Sequence, residues 1–242
     1  MLTQDFTSFV REVYSSNEPI SLHSPQFFGH ELEYVKSTIE STFVSSVGRY
    51  VGEFENALCK YTGANSVTAV VNGTAALHVA LKMAGVEAGD YVLTQSLTFV
   101  ATCNALHHMG AAPIFVDVSK KSMGICPKAL SSFLEQHAVI DERGCMLKSG
   151  GGRIKAVVPM HTFGHPVELD ELVTICDQWS LALVEDAAES LGSFYKGRHT
   201  GTFGCFSAMS FNGNKIITTG GGGAVLSRNK KDGADAAHLT TT

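Results

Sequence analysis

Residues 66–118, SVTAVVNGTAALHVALKMAGVEAGDYVLTQSLTFVATCNALHHMGAAPIFVDV, decide the fold of this chain. Residues 66–71, 91–94 and 113–118 are short apolar runs bounded by turn formers, and they read as strands. Between them, residues 74–84 and 99–109 carry helical periodicity and stop at Gly85 and Gly110. Strand and helix in alternation give a βαβ rhythm, so the expected class is α/β: a mostly parallel sheet with helices on both faces.

Upstream, Leu32, Val35, Ile39 and Phe43 fall at helical spacing, as do Val51, Phe54, Leu58 and Tyr61 before the stop at Gly63. Two amphipathic helices are therefore expected to open the fold. Downstream, Pro127 suits a first helical position and starts a helix through residue 137, after which residues 141–152 read as a loop. A strand at 154–160, a helix at 169–179 and a strand at 181–185 continue the alternation. Residues 204–211 and 224–227 then read as strands with no helix between them, which predicts an antiparallel pair appended to the parallel sheet. No linker-like stretch interrupts the chain, so its 242 residues are expected to form one large domain.

Hydrophobic residues make up 44% and charged residues 17%, the balance of a folded globular chain rather than a disordered one. No apolar run approaches the roughly 18 residues of a membrane span, and residues 1–6, MLTQDF, lack the pattern of a signal peptide. Cytoplasmic residence is the expectation. The six cysteines, at 59, 103, 126, 145, 176 and 205, show no metal-type spacing and are expected to be free thiols. His107 and His108 follow Cys103 at helical distances, but without a third ligand they read as packing or surface residues rather than a metal site. A net charge of −5 without a Lys/Arg cluster argues against a nucleic-acid surface, so any phosphate must be held by local amides and hydroxyls.

Asp186 ends an apolar strand, and Lys215 stands alone in a polar, glycine-flanked loop after the next strand. That layout suits pyridoxal phosphate: the lysine forms the Schiff base, while the carboxylate keeps the pyridine nitrogen protonated and the ring an effective electron sink. Most Asp and Lys residues are surface charges, and spacing alone leaves that alternative open. Asn72-Gly73-Thr74 lies between the first strand and its helix, where free amides, a glycine and a hydroxyl can cradle a phosphate. An ordinary capped helix would use the same residues. Phe99 follows the second strand and can stack on a cofactor ring or belong to the core. His161, ending the 154–160 strand, and Asn212, in the lysine loop, are the substrate-side candidates. The four glycines 220–223 supply a tight turn, and their place beside Lys215 also suits close approach of a ligand.

NGTAAL at 72–77, TFVATCN at 98–104, EDAAESLG at 185–192 and SFNGNKIITTGGG at 210–222 together resemble the DegT/StrS family of pyridoxal phosphate-dependent sugar aminotransferases, across nearly the whole chain. The resemblance implies a fold type I large domain. It makes Lys215 the Schiff-base and proton-transfer residue, Asp186 the pyridine partner and Phe99 the stacking ring. Gly73, Thr74 and Ser210 fall where the family binds the phosphate, and Glu189 stands where many members carry glutamine or histidine near the ring hydroxyl. A dehydratase branch has histidine in place of the lysine, so Lys215 implies transamination. Residues 41–48, STFVSSVG, and 238–242, HLTTT, are most similar to enzymes that aminate C4 of a UDP-linked 4-keto-6-deoxy-N-acetylhexosamine for bacterial surface sugars. L-glutamate as amino donor and a homodimer follow from the same resemblance. Family members continue past an HLTTT segment into a smaller carboxyl-terminal domain, so a shortened chain is implied, and with it the alternative of a non-catalytic binding remnant. Amination at C3, or of a GDP-sugar, is a further alternative.

Overall fold

The computed structural model describes residues 2–21 and 23–241; Met1, Leu22 and Thr242, the last residue of the 238–242 segment, lie outside them. Three helices come first, α1 (Leu2–Tyr14), α2 (Glu31–Ser41) and α3 (Arg49–Thr62). The alternating part follows as β1 (Ser66–Val70), α4 (Gly73–Met83), β2 (Tyr91–Gln95), α5 (Val100–His108) and β3 (Ala112–Val116). It continues with α6 (Pro127–His137), β4 (Ala138–Asp141), β5 (Gly144–Leu147), β6 (Ile154–Val158), α7 (Leu169–Gln178) and β7 (Ala182–Asp186). The remainder is β8 (Phe194–Tyr195), β9 (Arg198–His199), β10 (Phe206–Ser210), β11 (Gly223–Ser227) and α8 (Lys230–Thr241).

Seven strands form one sheet in the order β1-β11-β10-β7-β6-β2-β3. All run parallel except β11, which is antiparallel to both β1 and β10. The expected antiparallel pair is therefore not appended at an edge: β11 is inserted between two parallel strands. Side chains alternate across the sheet as the strand period requires. Val92, Ala156, Val158, Val184, Ala208 and Val225 pack with α4 and α5 on one face. Leu93, Val157 and Leu183 pack with α6 and α7 on the other, where Met209, Ala224 and Leu226 meet α3. Burial on both faces explains why these strands read as continuous apolar runs.

Two expectations at the periphery are corrected. Residues 141–152 are not simply a loop, because β4 and β5 pair as an antiparallel hairpin in the register Ala138↔Leu147 to Asp141↔Gly144. Gly144 takes φ +110 just after the turn, and Asp141 Oδ1 accepts the Arg143 amide at 2.8 Å. Three helices rather than two open the chain, and α1 buries none of its residues. Its Leu2, Phe6, Phe9 and Val13 repeat at helical spacing, so the signal was present in the sequence. The second helix also stops before Phe43, because Thr42 adopts the left-handed conformation at φ 62. A cleft of about 860 Å³ runs between α2, α3 and the β1–β11 edge, lined by Tyr34, Ile39, Tyr50, Phe54, Val71 and Phe211 among others.

The six cysteines are free. Burial pushes the thiols of Cys145 and Cys176 up to about 11 and about 12, which takes both out of thiolate chemistry at neutral pH.

Candidate active site

The sheet delivers its chemistry-bearing residues to the carboxyl ends of its parallel strands, where open α/β sheets bind ligands. Asn72 follows β1 and caps α4, its Oδ1 accepting the Ala75 amide at 2.8 Å. The first amides of a helix have no carbonyl one turn back, so those of Gly73 and Thr74 face outward for an anion. Ser210 ends β10 against this turn so closely that a Cβ on Gly73 would sit 2.7 Å from Ser210 Cβ and 3.0 Å from its Oγ. Gly73, Thr74 and Ser210 are thus brought together from positions well over a hundred residues apart in sequence. The same crowding accounts for one of the four glycines: a Cβ on Gly223 would lie 2.3 Å from the Asn72 carbonyl oxygen, so β11 passes directly against the β1–α4 turn. Gly220 and Gly222, at φ +83 and +154, make the turn that admits it.

Replacing Gly73 with alanine tests this contact. Helix propensity alone would favour alanine by up to about 1 kcal/mol, whereas forcing a methyl into occupied space costs roughly 1–3 kcal/mol. Net destabilisation is expected at Gly73. Gly52, inside α3 with nothing within 4 Å of the added Cβ, is the control expected to gain stability. Denaturant unfolding of the two variants reads the difference directly, and equal responses would refute the crowding.

Asp186 ends β7 and is buried. Its Oδ2 accepts the Thr102 hydroxyl at 2.7 Å, and its Oδ1 accepts the Ala188 amide at 3.3 Å. Burial raises its carboxyl above the ordinary value, opposed by the Thr102 and Ala188 hydrogen bonds and by the charge of Lys215. Lys215 lies in the turn after β10, its amide bonded to the Asn212 carbonyl at 3.0 Å. Its Nζ is 3.2 Å from Glu189 Oε1 and 5.9 Å from the centroid of the Phe99 ring. Glu189 Oε2 accepts the Phe163 amide at 3.0 Å, which fixes the carboxylate that faces the lysine. Phe99 is 64% exposed, an open aromatic face beside the lysine rather than a core residue. Asn212 is exposed in the same loop, its Nδ2 donating to Asn214 Oδ1 at 3.1 Å.

His161 is the exception. Its side chain is fully buried, its Nδ1 accepts the Val167 amide at 3.3 Å, and its Nε2 lies 3.0 Å from Glu185 Oε2. An Nδ1 that accepts leaves the hydrogen on Nε2, so the imidazole donates to Glu185 and offers no free nitrogen to a ligand. The expectation that His161 meets substrate is therefore corrected. Sequence reasoning missed Glu185, which also accepts the amides of Gly201, Phe203 and Gly204 at 2.7–2.8 Å. Burial works against its charge, but the hydrogen bond from His161 and the Gly204 and Gly201 amides outweigh it and hold the carboxyl below its ordinary value. The buried pair ties the loops after β6 and β9 to the strand that carries Asp186. Its only sequence signal is two adjacent acids ending an apolar run, of which alternation turns one away from the site.

The family model for the DegT/DnrJ/EryC1/StrS aminotransferase family matches residues 26–241. The chain is 39% identical over 214 residues to EpsN of Bacillus subtilis (strain 168), named as a pyridoxal phosphate-dependent aminotransferase; the match covers 88% of this chain and 53% of that protein. It is 38% identical over 211 residues to the GDP-perosamine synthase of Escherichia coli O157:H7, covering 87% of this chain and 54% of that one. The solved aminotransferase from Psychrobacter cryohalolentis superposes with a TM-score of 0.78 at 30% identity, over 90% of this chain and 51% of its own. The chain thus spans about half the length of the relatives it matches. With four ordered motifs, the sheet topology and the family model in agreement, this chain belongs to the DegT/DnrJ/EryC1/StrS aminotransferase family.

Proposed function

We propose that the chain is the cofactor-binding large domain of a pyridoxal phosphate-dependent aminotransferase that moves an amino group from L-glutamate to C4 of a nucleotide-linked 4-keto-6-deoxy sugar. The observation that carries this reading is the convergence of Lys215, Glu189 and Phe99 with the buried Asp186 and the Gly73–Ser210 cradle at the carboxyl ends of the parallel strands. The cradle fits a phosphate: Ser210 packs directly against Gly73, which brings the outward amides of the turn together with the hydroxyls of Thr74 and Ser210. The acid fits a protonated ring nitrogen, because both Asp186 oxygens keep a further acceptor site beyond their present bonds. When bound, the cofactor supplies an electron sink for the charge left when a proton leaves an amino-bearing carbon.

The chain's own residues do the rest. Gly73, Thr74 and Ser210 hold the phosphate and Asp186 holds the ring-nitrogen proton. Lys215 anchors the cofactor covalently, and once displaced by the amino donor it carries the proton from the donor carbon as general acid and base. Glu189 Oε1, 3.2 Å from Nζ, pairs with the lysine side chain and holds it in place beside Phe99. Asn212, exposed at the mouth, is assigned to substrate, while His161 acts only from beneath the site.

A homodimer and a cytoplasmic biosynthetic role in bacterial surface glycans belong to this reading. No helix among the described residues is long and apolar enough to cross a membrane. A GDP-linked sugar is the second reading, favoured by the 38% identity to a GDP-perosamine synthase. Incubating the purified chain with pyridoxal phosphate, L-glutamate and UDP-, GDP- and dTDP-linked 4-keto sugars should yield 2-oxoglutarate and one 4-amino product, identified by mass spectrometry. Conversion of the GDP-sugar alone would select the second reading. Cofactor binding without conversion of any sugar would sink the aminotransferase assignment for this chain.

A further inference from the structure

Resting on that reading, we propose that Thr102, with Thr98 behind it, is a positioning residue that fixes the charge and orientation of Asp186 toward the cofactor's ring nitrogen. Thr102 lies in the first turn of α5 and is fully buried, with its hydroxyl 2.7 Å from Asp186 Oδ2. Thr98, one turn earlier and half-buried, brings its hydroxyl within 2.7 Å of Thr102 Oγ1 and 3.1 Å of Met160 Sδ.

Proton direction gives this relay its meaning. An ionised carboxylate only accepts, so Thr102 must donate to Asp186, and its one hydrogen is then spent. Thr98 must in turn donate to Thr102. Every hydrogen in the chain then points at the charge, and the oxygen of the half-buried Thr98 is left as an acceptor. Were Asp186 protonated on Oδ2, the order would reverse: Asp186 would donate to Thr102, Thr102 to Thr98, and Thr98 would be left with the Met160 thioether, a weak acceptor. The arrangement is therefore better satisfied with Asp186 charged, which is the state a pyridinium partner needs. It opposes burial, which drives the same carboxyl toward neutrality.

The test compares Thr102→Val with Thr102→Ser. The readouts are the cofactor dissociation constant, from absorbance titration, and the protonation of the ring nitrogen, from the 15N resonance of labelled pyridoxal phosphate bound to the 242-residue chain. A hydrogen bond to a charged group corresponds to about a ten- to a hundredfold effect on an equilibrium. Thr102→Val should weaken binding by about that factor and shift the 15N resonance toward the unprotonated position; Thr102→Ser should retain both. In an Asp186→Asn background, Thr102→Val should change neither readout further. Thr98→Val, at the half-buried position, should give a smaller fall in the same direction, and it carries the test if Thr102→Val does not fold. Binding and protonation unmoved by Thr102→Val, or lost equally in Thr102→Ser, would overturn the inference while leaving the cofactor reading intact. A wild-type chain that binds no pyridoxal phosphate would instead overturn that reading and the inference with it.

Discussion

Lys215→Ala is expected to remove the visible absorbance of lysine-bound pyridoxal phosphate and to lower transamination by about ten-thousandfold or more. Two separate losses add. The chain loses the amine that anchors the cofactor, and it loses the base assigned to move the proton between carbons, a role worth about a hundred- to ten-thousandfold by itself. Cofactor binding should fall less than activity, because the cradle of Gly73, Thr74 and Ser210 and the acid Asp186 do not depend on the lysine. Glu189 would lose its 3.2 Å partner, so replacing Lys215 by glutamine rather than alanine separates the loss of that contact from the loss of the nucleophile. Absorbance spectra, equilibrium dialysis and single-turnover assays on the same preparations decide the matter. An unchanged visible spectrum in Lys215→Ala would refute the assignment.

Asp186→Asn is expected to cut activity by about a hundred- to a thousandfold, the scale of losing one preorganised electrostatic contact, while making the cofactor-free chain more stable at neutral pH. The stability sign follows from the raised folded-state carboxyl. A carboxyl with a raised folded value stabilises the fold while protonated. That contribution is fully present below the unfolded value of about 3.9 and is lost as pH rises through the folded one. Above that window the wild type bears the cost of a buried charge, and the asparagine variant does not. Its melting temperature at pH 7 should therefore be higher by a few degrees, at roughly 2–4 °C per kcal/mol for a chain of this size. Neighbouring Glu185 has the opposite sign: its carboxyl is held down, so its contribution is present above the ordinary carboxylate range and fades as pH falls through its folded value. The difference between the wild-type and Asp186→Asn curves isolates Asp186, since Glu185 is common to both. A gain in function-free stability at the expense of catalysis is the expected signature of a site held against its own folding preference. A variant no more stable than wild type from pH 4 to pH 8 would contradict it.

The apolar runs and glycine stops of residues 66–118 were enough for the βαβ alternation, because strand and helix differ in hydrophobic period and α4, α5 and β2 each turn apolar residues into the core. Lys215, Asp186, Phe99 and the 72–74 turn were legible for a related reason: each stands where an apolar run gives way to polar or glycine-rich sequence, and such junctions are strand ends. Local pattern could not say that β11 lies between β1 and β10, since strand order is a matter of long-range pairing. Nor could it show that Gly73 and Gly223 are glycines because Ser210 and Asn72 press against them. His161 illustrates the same limit. A histidine at a strand end on the active side has the right address, yet the side chain turns inward to Glu185, and only packing decides which way a ring faces. The sequence by itself thus determined the elements, their alternation and the chemical types at the strand ends, all properties of neighbouring residues. Tertiary structure alone decided which of those groups share a hydrogen, which carboxylate is buried against Thr102 and which faces Lys215, because those outcomes depend on contacts between residues 26 to 84 positions apart.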